Sequence, residues 1–360
     1  MIQGHGGNIY ELARQQGCDP AEITDMSSNV NPLGPPPGLI PFLKDNLDRI
    51  TALPEVDAGA VCQAFAARHE LDPSRVIAGN GTTQLIYSLP RALASRQALV
   101  LAPTYADYAD ACAMNHVPCQ FFRATAETGF NPSLPDMSAA IRKIGADLVF
   151  ICNPNNPTGV MIPPGHIKNL AAEHPGVRFV VDEAYLPFIS GSRALTLARP
   201  GGPDNVIVLN SMSKIFRVPG LRIGFAVAAP DLIERVAAYN LPWSVNSLSQ
   251  AAVTWLMSHP DLTDRFIEET VDLLETEKDY LAGRLADNPV ARPLPSATSF
   301  MLAALTEGHT AETVCDFLGQ YRILIRNCAN FEGLSSGFVR ISLKTRPDNS
   351  RLADYLNKLT

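Results

Sequence analysis

The sequence is short of charge and contains no long apolar run. Charged residues make up 18% of its 360 residues and hydrophobic residues 46%, whereas disordered chains combine low hydrophobicity with high charge. No apolar run approaches the ~18 residues of a membrane helix. The N-terminus has neither a basic flank nor an apolar core, so we expect no signal peptide and a cytoplasmic protein without a membrane partner.

Positive charge is also scarce, and the cysteines are scattered. The 29 Lys and Arg residues against 36 Asp and Glu residues give a net charge of −7, which disfavours nucleic acid as a partner. Seven cysteines occur without C-x-x-C spacing, which argues against a disulfide framework and against a zinc site. We therefore expect no metal, and cysteines that serve as small buried apolar residues.

Short apolar runs alternate with helical stretches through the middle of the chain, which predicts an α/β fold. Runs that are apolar on both faces are typical of a mostly parallel sheet covered by helices on both sides. Together with the resemblance described below, this pattern leads us to expect a seven-stranded sheet. The runs that predict strands are Val76–Ala78, Ala98–Ala102, Asp147–Cys152, Arg178–Val181, Val206–Leu209 and Arg222–Val227.

The final third of the chain has a different pattern and predicts a smaller α+β domain. Expected strands there are Ser299–Leu305, Ile323–Arg326 and Phe338–Leu343, with helices at 311–321 and 349–359. The first residues are rich in turn formers and predict an ordered arm. We expect an arm at 1–45 that joins the small domain, a large domain at 46–250, and the small domain at 251–360.

Ligands of open parallel sheets bind beyond the carboxyl ends of the strands, and two segments there suit a phosphate. Gly81, Thr82 and Thr83 precede a helix, whose free N–H groups attract anions; a simple helix cap by either threonine is the alternative. A second segment follows the run that ends at Leu209, and its polar members are Ser211, Ser213, Lys214 and Arg222. A lysine that is partly removed from water there could act as an amine nucleophile.

Two further segments complete the set. Asp182 ends an apolar run and is followed by Tyr185, although a carboxylate in such a place is usually a cap or a surface residue. Asn156 lies in a proline-rich turn that displays amide groups. In this order and spacing, the four segments resemble the fold-type I family of pyridoxal 5′-phosphate (PLP) enzymes, within the class I/II aminotransferases. The resemblance covers nearly the whole chain.

The resemblance implies a role for each of these residues. Lys214 would form a Schiff base with PLP and then act as general base or acid. Asp182 would pair with the ring nitrogen, and Tyr185 and Asn156 with the ring's phenolic oxygen. Lys214, Asp182 and Tyr185 are thus the expected catalytic residues. The cofactor phosphate would be bound by Gly81, Thr82, Thr83, Ser211, Ser213 and Arg222.

The resemblance also assigns an aromatic ring and an arginine. Tyr105 is the expected ring stacked over the cofactor, with Tyr108 as the alternative. Arg340 lies in an apolar strand, where alternation places Val339 and Ile341 on the core face and Arg340 on the other. It matches the arginine that clamps the substrate carboxylate, whereas a solvated surface charge is the alternative.

Four segments are similar to those of L-threonine-O-3-phosphate decarboxylases, enzymes of cobalamin biosynthesis. The segments are residues 5–8, 28–34, 242–246 and 325–334. This resemblance implies decarboxylation to (R)-1-amino-2-propanol phosphate, a homodimer, and a substrate phosphate bound by His5, Asn29 and Arg326, with Asn156 also facing the substrate. A mobile terminus is the alternative for His5.

Two other activities remain open at the level of the sequence. Histidinol-phosphate aminotransferases share the cofactor residues, so these residues do not separate decarboxylation from transamination. O-phosphoserine differs from the expected substrate by one methyl group. The sequence also departs from both enzymes at Leu53, where they have a tyrosine that reaches the cofactor phosphate of the partner subunit.

Overall fold

A computed structural model describes residues 6–359 of the chain. Its strands are β1 (Thr24–Asp25), β2 (Val76–Asn80), β3 (Ala98–Ala102), β4 (Cys119–Arg123), β5 (Leu148–Cys152), β6 (Arg178–Asp182), β7 (Val206–Ser211), β8 (Ile223–Val227), β9 (Ala291–Pro293), β10 (Phe300–Leu305), β11 (Ile323–Leu324), β12 (Arg326–Asn327) and β13 (Phe338–Ser342).

The helices cover both faces of the large sheet and surround the smaller sheets. They are α1 (Ile9–Gln16), α2 (Leu39–Asp45), α3 (Gly59–Arg68), α4 (Gly81–Ala92), α5 (Asp107–Met114), α6 (Leu134–Ile144), α7 (Pro164–Glu173), α8 (Ser192–Leu195), α9 (Met212–Ile215), α10 (Pro230–Ala237), α11 (Ser247–Ser258), α12 (Pro260–Arg284), α13 (Ala311–Gly319) and α14 (Arg346–Leu356).

The large sheet has seven strands in the order β2-β8-β7-β6-β5-β3-β4. Only β8 runs against its neighbours, because it pairs antiparallel with both β7 and β2. Successive residues of each central strand enter opposite cores: Val149 and Ile151 belong to one apolar cluster, and Leu148 and Phe150 to the other. The predicted α/β fold with a mostly parallel sheet is confirmed.

The edge strand β4 was absent from the predicted strands. It is partly exposed along its length, so it lacks the continuous apolar run by which the buried strands were recognised. Its partner β3 pairs with it in parallel from Ala98 and Cys119 onward. An edge strand has only one neighbour, and its sequence is correspondingly less apolar.

The smaller sheets connect the arm to the C-terminal part of the chain. The four-stranded sheet has the order β12-β13-β10-β9, and β1 of the arm pairs in parallel with β11. The expected single strand 323–326 is wrong in detail: β11 pairs with the arm, whereas β12 pairs with β13. The domain boundaries at 45 and 250 stay a prediction.

Candidate active site

One pocket of about 400 Å³ brings together side chains that are far apart in the sequence. The residues of the predicted site that line it are Asn29, Tyr105, Asn156, Tyr185, Lys214, Arg326 and Arg340. Gly6 also lines the pocket, and His5, the residue before it, lies outside the described residues. The pocket therefore joins the carboxyl-terminal edge of the large sheet to the four-stranded sheet.

Lys214 reaches the pocket from the short helix α9, which follows β7 directly. Burial, followed by the charges of Arg340 and Arg222, lowers the pKa of its amine to about 8, against the opposing effect of Asp182. An amine with such a pKa is neutral in a sizeable fraction of molecules near neutral pH. It can therefore act as a nucleophile or as a base.

Asp182 is the last residue of β6 and is buried. Burial raises the pKa of its carboxyl group, and two hydrogen bonds oppose this effect. The backbone N–H of Ala184 donates to Oδ1 at 2.9 Å, and the hydroxyl of Tyr108 donates to Oδ2 at 2.8 Å. The two bonds hold the carboxylate in one orientation and offset part of the effect of burial, and the pKa stays above its usual value.

The two tyrosines at the start of α5 occupy different places. Tyr108 is fully buried and stacks on Phe150 with ring centroids 5.2 Å apart. Tyr105 is half-buried and lines the pocket, where its hydroxyl hydrogen-bonds Thr83 and Asp107. Tyr105 is therefore the ring that is accessible to a ligand, whereas Tyr108 supports Asp182 from inside the sheet.

Tyr185 takes part in a chain of buried hydrogen bonds. Asn29 donates to its hydroxyl at 3.3 Å, and Asn29 in turn accepts a bond of 2.5 Å from the hydroxyl of Ser342. Burial raises the pKa of Tyr185 to about 12, so the phenol stays protonated at neutral pH. Asn29 was expected to bind the substrate phosphate. In this structure its amide contacts the hydroxyl of Tyr185.

Arg340 is buried, with 4% of its surface exposed, so the alternative of a solvated surface charge is wrong. Its Nη1 donates to Oδ1 of Asn156, and its Nη2 donates to the carbonyl of Ser27 at 2.5 Å. Its Nε has no partner among the described residues. A buried donor without a partner is costly, and an anion in the pocket would satisfy it.

Arg326 is a second buried guanidinium group on the same pocket. It lies over the ring of Phe331 at 4.9 Å and donates to Oδ1 of Asn330 at 2.7 Å. Burial lowers its pKa to about 10, and the nearby charge of Arg340 acts in the same direction. Two arginines in one cavity favour a ligand with more than one anionic group.

The second cluster of predicted residues lies at the N-terminus of α4. Asn80 is the N-cap residue and its side chain makes no capping bond, so the alternative of a threonine cap is wrong. Gly81 has a φ of 71°, and a Cβ there would lie 2.7 Å from Nη2 of Arg222. The guanidinium thus lies against the first turn of the helix, whose N–H groups face the same side.

Three further features surround this helix end. Ser211 and Ser213 are buried beside it, and Arg222 donates to the hydroxyl of Thr83 at 3.4 Å. A Cβ at Gly224 would lie 2.6 Å from the backbone nitrogen of Thr82. The strand β8 therefore packs directly against the helix start and leaves a compact set of donors.

Comparison with known proteins identifies the family. The model of the family described as "Aminotransferase class I and II" matches residues 21–356. The chain belongs to this family. The resemblance that the sequence motifs indicated is therefore confirmed.

Two curated relatives of this aminotransferase-family chain match almost all of it. The threonine-phosphate decarboxylase of Salmonella typhimurium is 32% identical over 358 residues, which cover 99% of this chain and 96% of the relative. The adenosylcobalamin biosynthesis bifunctional protein CobDQ of Leptospira interrogans is 28% identical. The match covers 99% of this chain but only 41% of that protein.

Solved structures show the same fold. L-threonine-O-3-phosphate decarboxylase from Porphyromonas gingivalis is 30% identical, with a TM-score of 0.82, and the match covers 93% of this chain and 99% of that one. Histidinol-phosphate aminotransferase from Sinorhizobium meliloti, solved in complex with pyridoxal-5'-phosphate, has a TM-score of 0.85 at 20% identity, over 98% of this chain and 94% of that one. At 20% identity, the similarity to the Sinorhizobium enzyme shows a shared fold and nothing more.

The sequence of this family member did not reveal the residues that hold the site in place. These are Ser27, Tyr108, Asn330, Phe331 and Ser342, which contact Arg340, Asp182, Arg326 and Asn29. Tyr108 had a weak signal, since it lies three residues after Tyr105. Asn330 and Phe331 lie four and five residues after Arg326, within the segment 325–334 that the resemblance singled out, but no role was assigned to them. Ser27 and Ser342 contact partners that are far away in the sequence, so no local pattern marks them. Within residues 6–359, no helix has the length and apolar character that crossing a membrane requires.

Proposed function

We propose that this protein is a PLP-dependent decarboxylase that converts L-threonine-O-3-phosphate to (R)-1-amino-2-propanol phosphate for cobalamin synthesis. The observation that carries the proposal is the pair of buried guanidinium groups, Arg326 and Arg340, on the pocket that contains the low-pKa amine of Lys214. A phosphorylated amino acid presents a phosphate, a carboxylate and an amine. The names of the relatives from Salmonella and Leptospira support the same substrate and pathway.

The donors at the start of α4 fit the phosphate of PLP. Gly81, Thr82 and Thr83 offer backbone N–H groups from a helix end without a side-chain cap, and Ser211, Ser213 and Arg222 supply the remaining donors. The tight contact between Gly81 and Arg222 leaves no room for a larger side chain at that position. Such a set of neutral donors and one cation suits a phosphate dianion.

The residues around the pocket fit the ring of the cofactor. Asp182, oriented by two donors, would hold a proton on the ring nitrogen. Tyr185 and Asn156 would donate to the phenolic oxygen, because Arg340 already bonds the carbonyl oxygen of Asn156 and leaves its NH₂ group to donate. Tyr105 would stack on the ring. When bound, PLP withdraws electrons from the bond that breaks at the substrate Cα.

The side chains of this protein would decide which bond breaks. Arg340 would bind the substrate carboxylate, and Arg326, with Asn29 and His5, the substrate phosphate. Once both ends are fixed, the orientation of Cα decides between loss of the carboxylate, which is decarboxylation, and loss of hydrogen, which leads to transamination. The amine of Lys214 is placed to carry the proton that Cα gains or loses.

A homodimer is part of the proposal, and an exposed apolar surface supports it. Leu53 is 76% exposed, Leu241 70% and Trp243 49%. The two segments are neighbours, because the backbone N–H of Trp243 donates to the carbonyl of Val56 at 2.8 Å. Large exposed apolar patches usually mark protein interfaces, and a second copy of the chain is the occupant we propose.

The deciding experiment is a decarboxylation assay with purified protein and added PLP. We expect CO₂ from L-threonine-O-3-phosphate in the absence of 2-oxoglutarate, together with aminopropanol phosphate. O-phospho-L-serine, run in parallel, tests the contribution of the methyl group. A preparation that binds PLP but releases no CO₂ from either compound would contradict the proposal.

Histidinol-phosphate aminotransferase is the second candidate, and a relative of that name from Methanopyrus kandleri, 28% identical over 98% of this chain, supports it. Its substrate has a phosphate but no carboxylate, so the second guanidinium would serve the dicarboxylate co-substrate instead. With histidinol phosphate and 2-oxoglutarate, this candidate predicts glutamate formation. Glutamate without any CO₂ from L-threonine-O-3-phosphate would establish the aminotransferase and exclude the decarboxylase.

A further inference from the structure

The N-terminal arm contacts the site at two points that are two residues apart. The amide of Asn29 donates to the hydroxyl of Tyr185 at 3.3 Å. The backbone N–H of Asn31 donates to the carbonyl of Lys214 at 3.1 Å. Asn29 belongs to the expected site and lines the pocket, whereas Asn31 does not line it and has no assigned role. The contact between Asn31 and Lys214 therefore needs an explanation of its own.

The side chain of Asn31 is buried, with no exposed surface, and is hydrogen-bonded on both sides. Its NH₂ group donates to the carbonyl of Ile215 at 2.8 Å and to the hydroxyl of Thr270 at 2.7 Å. Its Oδ1 accepts a bond of 2.9 Å from the backbone N–H of Leu33. Both N–H donors of the amide are thus used, and they fix it between α9 and the long helix α12.

These bonds hold the end of α9, the helix that carries Lys214. A helix of four residues has few internal bonds, and its last carbonyls need partners from elsewhere. The carbonyls of Lys214 and Ile215 both accept bonds from Asn31. In the following turn, Nη1 of Arg217 donates to the carbonyls of Asn31 and Pro32, at 3.1 Å in each case. Four hydrogen bonds therefore join the arm to this end of α9.

The position of α9 decides how close the amine of Lys214 lies to other charges. Burial and the charges of two arginines lower the pKa of this amine, whereas Asp182 raises it. An amine that moved toward water would regain its ordinary, higher pKa. The groups that act on the amine or share its pocket are Asp110 of α5, Asp182 of β6, Tyr185, Arg222 before β8, Arg326 of β12 and Arg340 of β13.

We propose that Asn31 is a positioning residue, which holds the amine of Lys214 in place through the last turn of α9. The proposal rests on the proposed function in one respect, the assignment of Lys214 as the amine that reacts with PLP. It does not depend on which substrate the enzyme converts. The competing explanation is that Asn31 only stabilises the fold, as a buried and bonded amide does anywhere in a protein.

Asn349 of α14 provides a matched control for this distinction. It also has no exposed surface. Its NH₂ group donates to Oε2 of Glu277 at 2.8 Å and to the carbonyl of Lys344 at 2.7 Å, and its Oδ1 accepts a bond of 3.0 Å from the N–H of Lys344. Asn349 does not line the pocket. Asn31→Ala and Asn349→Ala therefore remove equivalent bonds, and only the first removes them beside Lys214.

The test uses the full-length protein and PLP alone, without substrate. The protein is mixed with PLP at a series of pH values, the complex is reduced with borohydride, and the labelled lysine is located after trypsin digestion. A labelled Lys214 lies in the peptide 194–217, because trypsin cuts after Arg193 and Arg217 but not between Arg199 and Pro200. Urea unfolding of each variant without PLP measures its stability separately.

For Asn31→Ala we expect the pH of half-maximal labelling of Lys214 to rise. The rate of labelling near neutral pH should fall about tenfold, as a rise of one unit in the pKa of an amine would cause. Asn349→Ala should lose stability without either change. A less stable Asn31→Ala protein with an unchanged labelling profile would overturn the proposal. Labelling of another lysine in the unaltered protein would instead overturn the proposed function, and this proposal with it.

If Asn31→Ala does not fold, Arg217→Met decides the question. Arg217 is exposed, so the loss of its two bonds to the arm should leave the protein folded, and its charge is not among those that act on Lys214. The proposal predicts a rise in the pH of half-maximal labelling for this variant as well. An unchanged profile in folded Arg217→Met would overturn it.

Discussion

The hydroxyl of Tyr108 offers a sharp test of the proposed role of Asp182. The substitution Tyr108→Phe removes the 2.8 Å hydrogen bond to Oδ2 of Asp182 and leaves the ring in place. The stacking contact with Phe150, at 5.2 Å between centroids, does not need the hydroxyl. The change therefore acts on the carboxylate and its proton equilibrium, and on the neighbouring Cys152 thiol, which is not part of the proposed site.

The size of the effect follows from the type of bond. A hydrogen bond to a charged group contributes about 1.5–3 kcal/mol, and each ~1.4 kcal/mol in a barrier changes a rate tenfold. If the ionised carboxylate acts in the transition state, kcat/KM should fall between about 10-fold and about 150-fold. The pH dependence has a defined sign as well. The Tyr108 bond lowers the pKa of Asp182, so its loss raises that pKa and moves the acidic limb of kcat/KM to higher pH.

The assay is decarboxylation of L-threonine-O-3-phosphate as a function of pH, with PLP affinity measured separately. The control is Tyr87→Phe, a tyrosine of α4 that is half-buried and outside the proposed site; it should leave both the rate and the pH profile unchanged. A rate loss in Tyr108→Phe without a shift of the acidic limb would show that the hydroxyl acts only through packing. A change below twofold would refute the reasoning altogether.

Three further outcomes are expected. Arg340→Lys loses the planar group that reaches both Asn156 and Ser27, so kcat/KM should fall about 100-fold or more. A loss below tenfold would count against the proposed role of Arg340 in binding the substrate carboxylate. In the protein without cofactor, the pKa of Lys214 is lowered to about 8, so its protonated form disfavours folding and stability should rise as the pH increases above about 8. Urea unfolding of Lys214→Met should lack that rise and show a more stable protein at neutral pH; an unchanged pH dependence would be contrary evidence. Leu53→Asp should convert a dimer to a monomer in sedimentation experiments, whereas Met114→Asp, exposed on α5, should not; a dimeric Leu53→Asp protein would place the interface elsewhere.

Much of the large sheet could be predicted because its strands are buried on both faces. Strands such as β3 and β5 are apolar at every position. A continuous apolar run of this kind can be recognised from one sequence. The strand β4 could not be found in this way, because an edge strand exposes part of its surface. Residues 323–327 divide into β11 and β12 because the two strands pair with different partners, β1 and β13. The local composition of a strand does not indicate which strand it pairs with.

The site was predictable for a similar physical reason. In a parallel sheet the residues that end the strands meet at one edge, so Asp182 and Lys214 had to lie near each other. The supporting contacts were not predictable, because they depend on rotation and packing of elements. Tyr105 and Tyr108 are three positions apart at the start of α5. The orientation of that helix on the sheet decides which of the two hydroxyls reaches Asp182.

The low charge of the whole chain conceals a concentration of positive charge in one pocket. Burial lowers the pKa of Lys214, Arg326 and Arg340 together, which means that each of these side chains is less stable as a cation there than in water. The protein without ligand therefore carries an unfavourable electrostatic term, and Nε of Arg340 adds an unsatisfied donor. An anionic cofactor and the proposed substrate, which has two anionic groups, would remove both penalties at once. The selectivity for phosphorylated amino acids that we propose would then follow from the pocket itself, because a neutral ligand would leave the buried cations uncompensated.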